Sequence, residues 1–140
     1  MSKIAVVYWS GTGNTEAMAQ CVAQGVTEAG AECELLTADK FNAGMVSDYS
    51  AIAFGCPSMG SEQLEEYDFE PMFSACKSAL SGKRIALFGS YGWGDGAWMR
   101  TWEEDCRGCG ANLVFDSVIC CEAPDDGAKA SCVALGKALV

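Results

Sequence analysis

The hydrophobic positions of this chain form short, nearly continuous apolar runs that alternate with stretches of helical period. Residues 3–9, KIAVVYW, have the pattern of a strand buried on both faces of a parallel sheet. From Thr15 the apolar positions follow a helical period, which Gly30 is predicted to end. The same reasoning predicts strands at 31–37, 50–56, 84–89 and 112–120, helices at 64–80, 96–109 and 128–139, and a weaker helix at 41–47.

This alternation predicts an α/β fold, a doubly wound parallel sheet with helices on both faces. No linker, repeat or low-complexity segment interrupts the 140 residues, so we expect one domain spanning residues 1–140. In such a sheet, ligands bind beyond the carboxyl ends of the strands. Three loops therefore carry the expected chemistry: residues 10–15, 57–62 and 90–96.

The first of these loops, SGTGNT, has the composition of a phosphate cradle at a helix N-terminus. A phosphoryl-transfer loop would add a lysine, but Glu16 follows instead, and the third glycine of a dinucleotide fingerprint is missing. The loop also contains no cysteine that could serve as a nucleophile. We interpret it as an anchor for a phosphate that is held and not transferred.

The other two loops have features that suit a flat ligand. The stretch GSYGWGDG, residues 89–96, sets Trp93 among glycines, where an indole is better placed to stack on a planar ring than to fill a core. Trp98 and Trp102 are spaced i, i+4 on a predicted helix, which favours packing, whereas Trp9 ends a strand and could be core or pocket wall. In the middle loop, Gly60 can adopt φ of either sign, so its peptide could rotate at little steric cost.

Charge and cysteine content limit the possible binding partners and the cellular compartment. The net charge of −10 opposes binding to nucleic acid or anionic lipid and favours a partner with a basic docking face. Nine cysteines, an odd number placed mostly in apolar patterns, favour a reducing compartment. With no leader pattern and no apolar run of membrane-spanning length, we expect a cytoplasmic protein.

Three motifs in register, SGTGNT, GCPSMGSE and LFGSYGWGDG, resemble the flavodoxins, specifically the short-chain kind found in anaerobic bacteria. The resemblance covers essentially the whole chain and implies a five-stranded sheet in the order 2-1-3-4-5 that binds FMN non-covalently. The residues implied to bind FMN are Ser10, Gly11, Thr12, Gly13, Asn14, Thr15, Pro57, Ser58, Met59, Gly60, Ser61, Glu62, Ser90, Tyr91, Gly92 and Trp93.

The resemblance also implies how these residues act. Residues 10–15, with Ser90, would hold the phosphate; Trp93 and Met59 would cover the two faces of the ring; and the Glu62 carboxylate would reach N3. The Gly60–Ser61 peptide would flip on one-electron reduction and stabilise the neutral semiquinone.

The function implied is that of a low-potential one-electron carrier, without substrate turnover of its own. It would work mainly between semiquinone and hydroquinone in place of ferredoxin, the low potential arising from the acidic residues that follow the middle loop. Its partners would be ferredoxin- or flavodoxin-dependent oxidoreductases, and the chain itself a monomer.

Three alternatives remain open at this stage. A small FMN-dependent quinone or NAD(P)H reductase could share the fold, although the chain has little room for a second substrate site. A phosphoacceptor domain would need an aspartate at the end of the third strand, where Cys56 stands. Cys106 and Cys109 form a CxxC motif that could act as a dithiol or bind zinc, but the motif lies near the end of a predicted helix and the chain has no histidine.

Overall fold

The computed structural model describes residues 3–60 and 62–140, and its centre is one parallel sheet. The strands are β1 (Lys3–Tyr8), β2 (Glu32–Thr37), β3 (Ala51–Gly55), β4 (Arg84–Tyr91), β5 (Asn112–Leu113) and β6 (Val118–Cys121). Their order is β2-β1-β3-β4-β5, and β6 also pairs with β4. The predicted strand order and doubly wound class are confirmed.

The predicted fifth strand is interrupted. β5 pairs with Arg84 and Ile85 at the start of β4, and β6 pairs with the end of β4 from Phe88 onward. Between the two pieces lie Asp116 and Ser117, residue types that are depleted in strands. The Ser117 hydroxyl donates to a carboxylate oxygen of Glu103 at 2.6 Å, an interaction with a neighbouring helix that the apolar pattern did not reveal.

Four helices cover the two faces of the sheet: α1 (Asn14–Glu28), α2 (Phe69–Cys76), α3 (Ala97–Gly108) and α4 (Asp126–Ala138). α1 and α4 pack on one face, over a core that includes Ile4 and Val6 of β1. α2 and α3 pack on the other, over a core that includes Ala5 and Val7. Successive residues of a strand point to opposite faces, which is why a continuous apolar run predicts a sheet covered on both sides.

Two predicted helices differ from the observed ones. The helix predicted at 64–80 begins only at Phe69, because the chain before it turns around the carboxylate of Glu65, and it ends in a 3₁₀ turn at Lys77–Ala79. The weak helix predicted at 41–47 is a 3₁₀ segment, Ala43–Asp48. Trp98 and Trp102 are each 2% exposed, so the prediction that they pack in the core is confirmed.

Candidate functional site

Backbone hydrogen bonds hold the three loops together at one edge of the sheet. The Trp9 N–H donates to the Gly55 carbonyl at 3.0 Å, and the Ser58 N–H donates to the Ser90 carbonyl at 3.0 Å. These bonds join the loops after β1, β3 and β4 just beyond the strands. The loops therefore lie side by side, joined by main-chain hydrogen bonds.

The N-terminus of α1 lies at the first loop. Gly13 is the N-cap residue, with φ 97°, a conformation that glycine adopts without strain. The Ser10 hydroxyl accepts from the backbone N–H of Gly13 at 3.1 Å and from that of Glu16, in the first turn of the helix, at 3.2 Å. The start of a helix carries a partial positive charge and N–H donors without partners inside the helix, so it favours an anion.

Two buried hydroxyl groups connect this loop to β4. Thr15 is 1% exposed and Ser90 is 5% exposed, and their side-chain oxygens lie 3.2 Å apart. Since buried hydroxyls need partners, the pair fixes the first turn of α1 against the carboxyl end of β4. Both residues were predicted as phosphate donors, which stays a prediction, and their contact also holds the first loop against β4.

The middle loop closes as a tight turn. Met59 and Gln63 exchange backbone hydrogen bonds of 2.8 and 2.9 Å, an isolated antiparallel bridge. Gly60 and Glu62, at φ 52° and 54°, both lie in the left-handed region. Ser61, predicted as a contact residue, lies outside the described residues.

Glu62 connects the middle loop to the third. Its carboxylate accepts from the backbone N–H of Ala97 at 3.2 Å, at the start of α3. A Cβ on Gly94 would come within 2.5 Å of the same carboxylate, so the third loop approaches it closely because residue 94 is a glycine. In this structure the Glu62 carboxylate is a link between loops.

The three loops enclose an open slot of about 530 Å³, a size typical of small-molecule sites. Its wall includes nine of the predicted residues: Gly11, Thr12, Asn14, Pro57, Ser58, Met59, Ser90, Tyr91 and Gly92. The structure therefore brings most of the predicted residues together around one cavity, and their role in binding stays a prediction.

The other predicted residues lie beside the slot wall. Among those described they are Ser10, Gly13, Thr15, Gly60, Glu62 and Trp93. Trp93 is 62% exposed, so its ring is available at the surface, whereas Met59, 36% exposed, contributes directly to the wall. Glu16, whose charge would repel a phosphate, is also outside the wall, and its carboxylate accepts from the Tyr8 hydroxyl at 3.3 Å.

Three wall residues were missing from the predicted set: Trp9, Glu122 and Ala123. The sequence left open whether Trp9 packs in the core or lines a pocket, and in the structure it lies on the slot wall. The Glu122 N–H donates to the Tyr91 carbonyl at 2.7 Å, which brings the segment after β6 beside the third loop. The resemblance to the flavodoxins also implies that residues 120–122 approach the ring, and of these Glu122 lies on the wall.

One acidic residue near the slot is buried. Glu65 is 4% exposed, and its carboxylate accepts from the backbone N–H groups of Tyr67, Asp68 and Phe69 at 2.8 to 2.9 Å. Burial acts to raise the pKa of Glu65, but these three bonds to the charged form outweigh it and leave the pKa below its ordinary value. Glu65 therefore caps α2 and fixes the end of the middle loop.

The cysteines are all free thiols. Cys106 lies inside α3 and Cys109 just after it, and the Cys109 thiol donates to the Cys106 carbonyl at 3.2 Å. Burial raises the pKa of Cys106 to about 12, the opposite of what an activated dithiol requires. Across residues 3–60 and 62–140, no group of cysteine and acidic side chains is arranged to hold a metal ion.

Comparison with known proteins identifies the family. The flavodoxin profile matches residues 6–136. The chain is 43% identical to a flavodoxin of Clostridium beijerinckii, over 94% of this chain and 95% of that one. It is 42% identical to a flavodoxin of Megasphaera elsdenii, over 96% of each. The chain belongs to the flavodoxin family.

Solved structures agree with this assignment. The solution structure of two-electron reduced Megasphaera elsdenii flavodoxin superposes with a TM-score of 0.90, at 43% identity over 97% of both chains. A flavodoxin from the domain Archaea gives a TM-score of 0.84 at 27% identity. Because the sequence relatives are flavodoxins over nearly their whole length, the reductase alternative is not favoured.

The chain is thus an electron carrier that binds FMN non-covalently and has no substrate turnover of its own. The residues present suit this cofactor, since the slot meets the N-terminus of α1 near Thr12 and Asn14 and has the Met59 side chain on its wall. Within the described ranges, no helix is both long and apolar enough to cross a bilayer.

Proposed function

We propose that the slot holds FMN with its phosphate at the N-terminus of α1 and its ring between the middle and third loops. The observation that supports this is the slot itself, which runs from the N-terminus of α1 to the Met59 side chain. When bound, the flavin supplies the capacity to accept and release single electrons. The protein supplies the anchor, the orientation and the charge around the ring.

A negative charge at Thr12 tests the position of the phosphate. Thr12 is exposed on the slot wall, so aspartate there should fold normally and repel the phosphate. At about 5 Å and an effective dielectric near 20, the repulsion would raise the Kd for FMN by about a hundredfold.

Riboflavin, which lacks the phosphate, is the matched control ligand. Its Kd should change by less than about threefold in Thr12→Asp, since no second charge is present. Both values can be measured by quenching of flavin fluorescence. Equal losses for FMN and riboflavin would show that the phosphate lies elsewhere.

Gly60 is proposed to let its peptide rotate when the first electron arrives, so that a backbone carbonyl meets a new proton on the ring. At φ 52°, any side chain at this position is strained, and a β-branched one most of all. Gly60→Thr should therefore make the first one-electron potential more negative. The shift is about 60 mV for each tenfold loss in the stability of the one-electron-reduced state relative to the oxidised state. Anaerobic redox titration measures this potential.

Gly82→Thr serves as the control for strain alone. Gly82 also has positive φ, at 75°, but it precedes the amino end of β4, whereas the slot lies at the carboxyl end of that strand. The Gly82→Thr variant should be less stable than the wild type, but both of its one-electron potentials should be unchanged. A first-electron potential that is unchanged in Gly60→Thr would refute the rotation.

We propose that acidic side chains make the second one-electron potential more negative. No lysine or arginine occurs between Pro57 and Phe73, a stretch that carries five carboxylates. A carboxylate about 10 Å away at an effective dielectric near 20 opposes an added electron by about 1.7 kcal/mol, or roughly 70 mV before screening by salt. We propose a carrier that works mainly across its second one-electron step, in place of ferredoxin.

The same charge is proposed to steer basic partners, namely ferredoxin- or flavodoxin-dependent oxidoreductases. Reduction by such a partner should slow by about tenfold between low and high salt, as expected for steered association. Stopped-flow measurement of the reduction rate at several ionic strengths tests this. A rate that does not change with salt concentration would contradict electrostatic steering. We propose that the chain acts in the cytoplasm, which its free thiols support, and that it acts as a monomer.

A further inference from the structure

Cys56 follows β3 at the start of the middle loop, and its backbone is bonded to two neighbouring elements. The Cys56 N–H donates to the Phe88 carbonyl of β4 at 3.1 Å, and its carbonyl accepts from the Trp98 indole N–H of α3 at 3.2 Å. A Cβ on Gly89 would overlap the same carbonyl oxygen, so the backbone of Cys56 packs directly against β4. The first residue of the loop is therefore fixed to the sheet.

The Cys56 side chain reaches the other end of the loop. Its sulfur accepts from the backbone N–H of Glu65 at 3.4 Å, and its thiol donates to the Pro57 carbonyl at 3.5 Å. Cys56 is 0% exposed, and burial raises the pKa of its thiol to about 12. The thiol therefore stays protonated and can donate and accept at the same time. We call the bond between the Glu65 N–H and the sulfur the Cys56–Glu65 contact.

The Cys56–Glu65 contact closes the middle loop at its base. Within the loop, Met59 and Gln63 exchange two backbone hydrogen bonds. Beyond the contact, the Glu65 carboxylate accepts from three backbone N–H groups at the start of α2. These bonds restrict movement to the peptides at the tip of the loop, near Gly60. A short segment held in this way loses less conformational entropy when it forms a new hydrogen bond.

We propose that Cys56 is a positioning residue for the first one-electron step, acting on the flavin through the middle loop. By fixing the base of the loop, it lets the Gly60 peptide rotate while the residues on either side stay in place. The one-electron-reduced state gains a hydrogen bond to that peptide, so this state depends most on an ordered loop. Loss of the Cys56–Glu65 contact should therefore destabilise this state relative to the oxidised one.

This inference rests on the proposed function, since it needs the middle loop to lie against the ring and the Gly60 peptide to rotate. It adds a residue that is completely buried and is not part of the slot wall. A change of potential on altering Cys56 would consequently act through the loop and not through a contact with the ring.

The test is anaerobic redox titration of FMN-loaded Cys56→Ala, which has no acceptor for the Glu65 N–H. The one-electron-reduced state should lose about tenfold in stability relative to the oxidised state, which makes the first potential about 60 mV more negative. The second potential should change by less than the equivalent of about threefold, because the peptide has rotated before the second electron arrives. An unchanged first potential, or equal shifts of both potentials, would overturn the proposal.

Two further variants separate the Cys56–Glu65 contact from the general effect of removing a buried sulfur. Cys56→Ser restores a donor and an acceptor, so its first potential should return to within the equivalent of about threefold of the wild-type value. Cys76→Ala removes an equally buried thiol from the same core, at the end of α2, and should leave both potentials unchanged. A serine variant shifted as far as the alanine variant would overturn the proposal, as would an equal shift in Cys76→Ala.

Amide hydrogen exchange tests the Cys56–Glu65 contact without a change of redox state. In the oxidised, FMN-loaded protein, the Glu65 N–H should exchange about tenfold faster in Cys56→Ala than in Cys56→Ser. Equal rates in the two variants would show that the side chain of residue 56 does not hold this amide, and would overturn the proposal.

Failure of this inference is distinguishable from failure of the proposed function. If the peptide does not rotate, Gly60→Thr leaves the first potential unchanged. If Gly60→Thr shifts the first potential and Cys56→Ala does not, the rotation stands and only the role of Cys56 is refuted.

Discussion

Alanine at Gly25 is expected to destabilise the protein by about 3 kcal/mol, despite being the better helix former. Gly25 lies inside α1, and a Cβ there would overlap the carbonyl oxygen of Val133 in α4. The contact is reciprocal, since a Cβ on Gly136 of α4 would overlap the carbonyl oxygen of Val22. Because both obstacles are backbone atoms, the two helices would have to move apart. Urea denaturation of the Gly25→Ala variant measures the loss.

Gly108→Ala is the matched control for this prediction. Gly108 is the last residue of α3, and a Cβ there meets nothing within 4 Å. Its alanine variant should gain about 0.5 to 1 kcal/mol, from helix propensity and the lower entropy of the unfolded chain. If Gly25→Ala behaved like Gly108→Ala, the close approach of α1 and α4 would be wrong.

The second large effect is expected at Glu65. Replacing it with glutamine keeps the size but puts an NH₂ group where one oxygen accepts, so at least one of three backbone N–H donors loses its partner. We expect a loss of about 2 kcal/mol at pH 7. Glu66→Gln, an exposed neighbour, should change stability by less than about 0.5 kcal/mol.

The effect of Glu65 should depend on pH in a defined direction. Its pKa is below the ordinary value of 4.5 in the folded state, so the carboxylate stabilises the fold fully above pH 4.5. As pH falls through the folded pKa, that stabilisation is lost. The difference between wild type and Glu65→Gln should thus be constant near neutrality and shrink in acid. A difference independent of pH down to strongly acidic conditions would contradict the ionised cap.

Contacts between distant segments explain where sequence reasoning fell short. The acidic run that includes Glu62, Glu65 and Glu66 reads as one class of charged positions. In the structure, Glu62 binds the start of α3, Glu65 is buried as a cap, and Glu66 is exposed at the surface. The local sequence does not distinguish these three glutamates, because their roles differ only through the distant residues that each one contacts.

The amino-acid sequence by itself determined the alternation of buried strands and helices, and with it the edge of the sheet where a ligand site is expected. Such features depend on the period of apolar positions and on glycines in the loops, both of which are local properties of the chain. Only the tertiary structure decided that Trp9 lies on the slot wall and that α1 meets α4 through glycine. Those outcomes depend on side chains and backbone atoms far apart in sequence, whose positions are fixed only when the helices pack on the sheet.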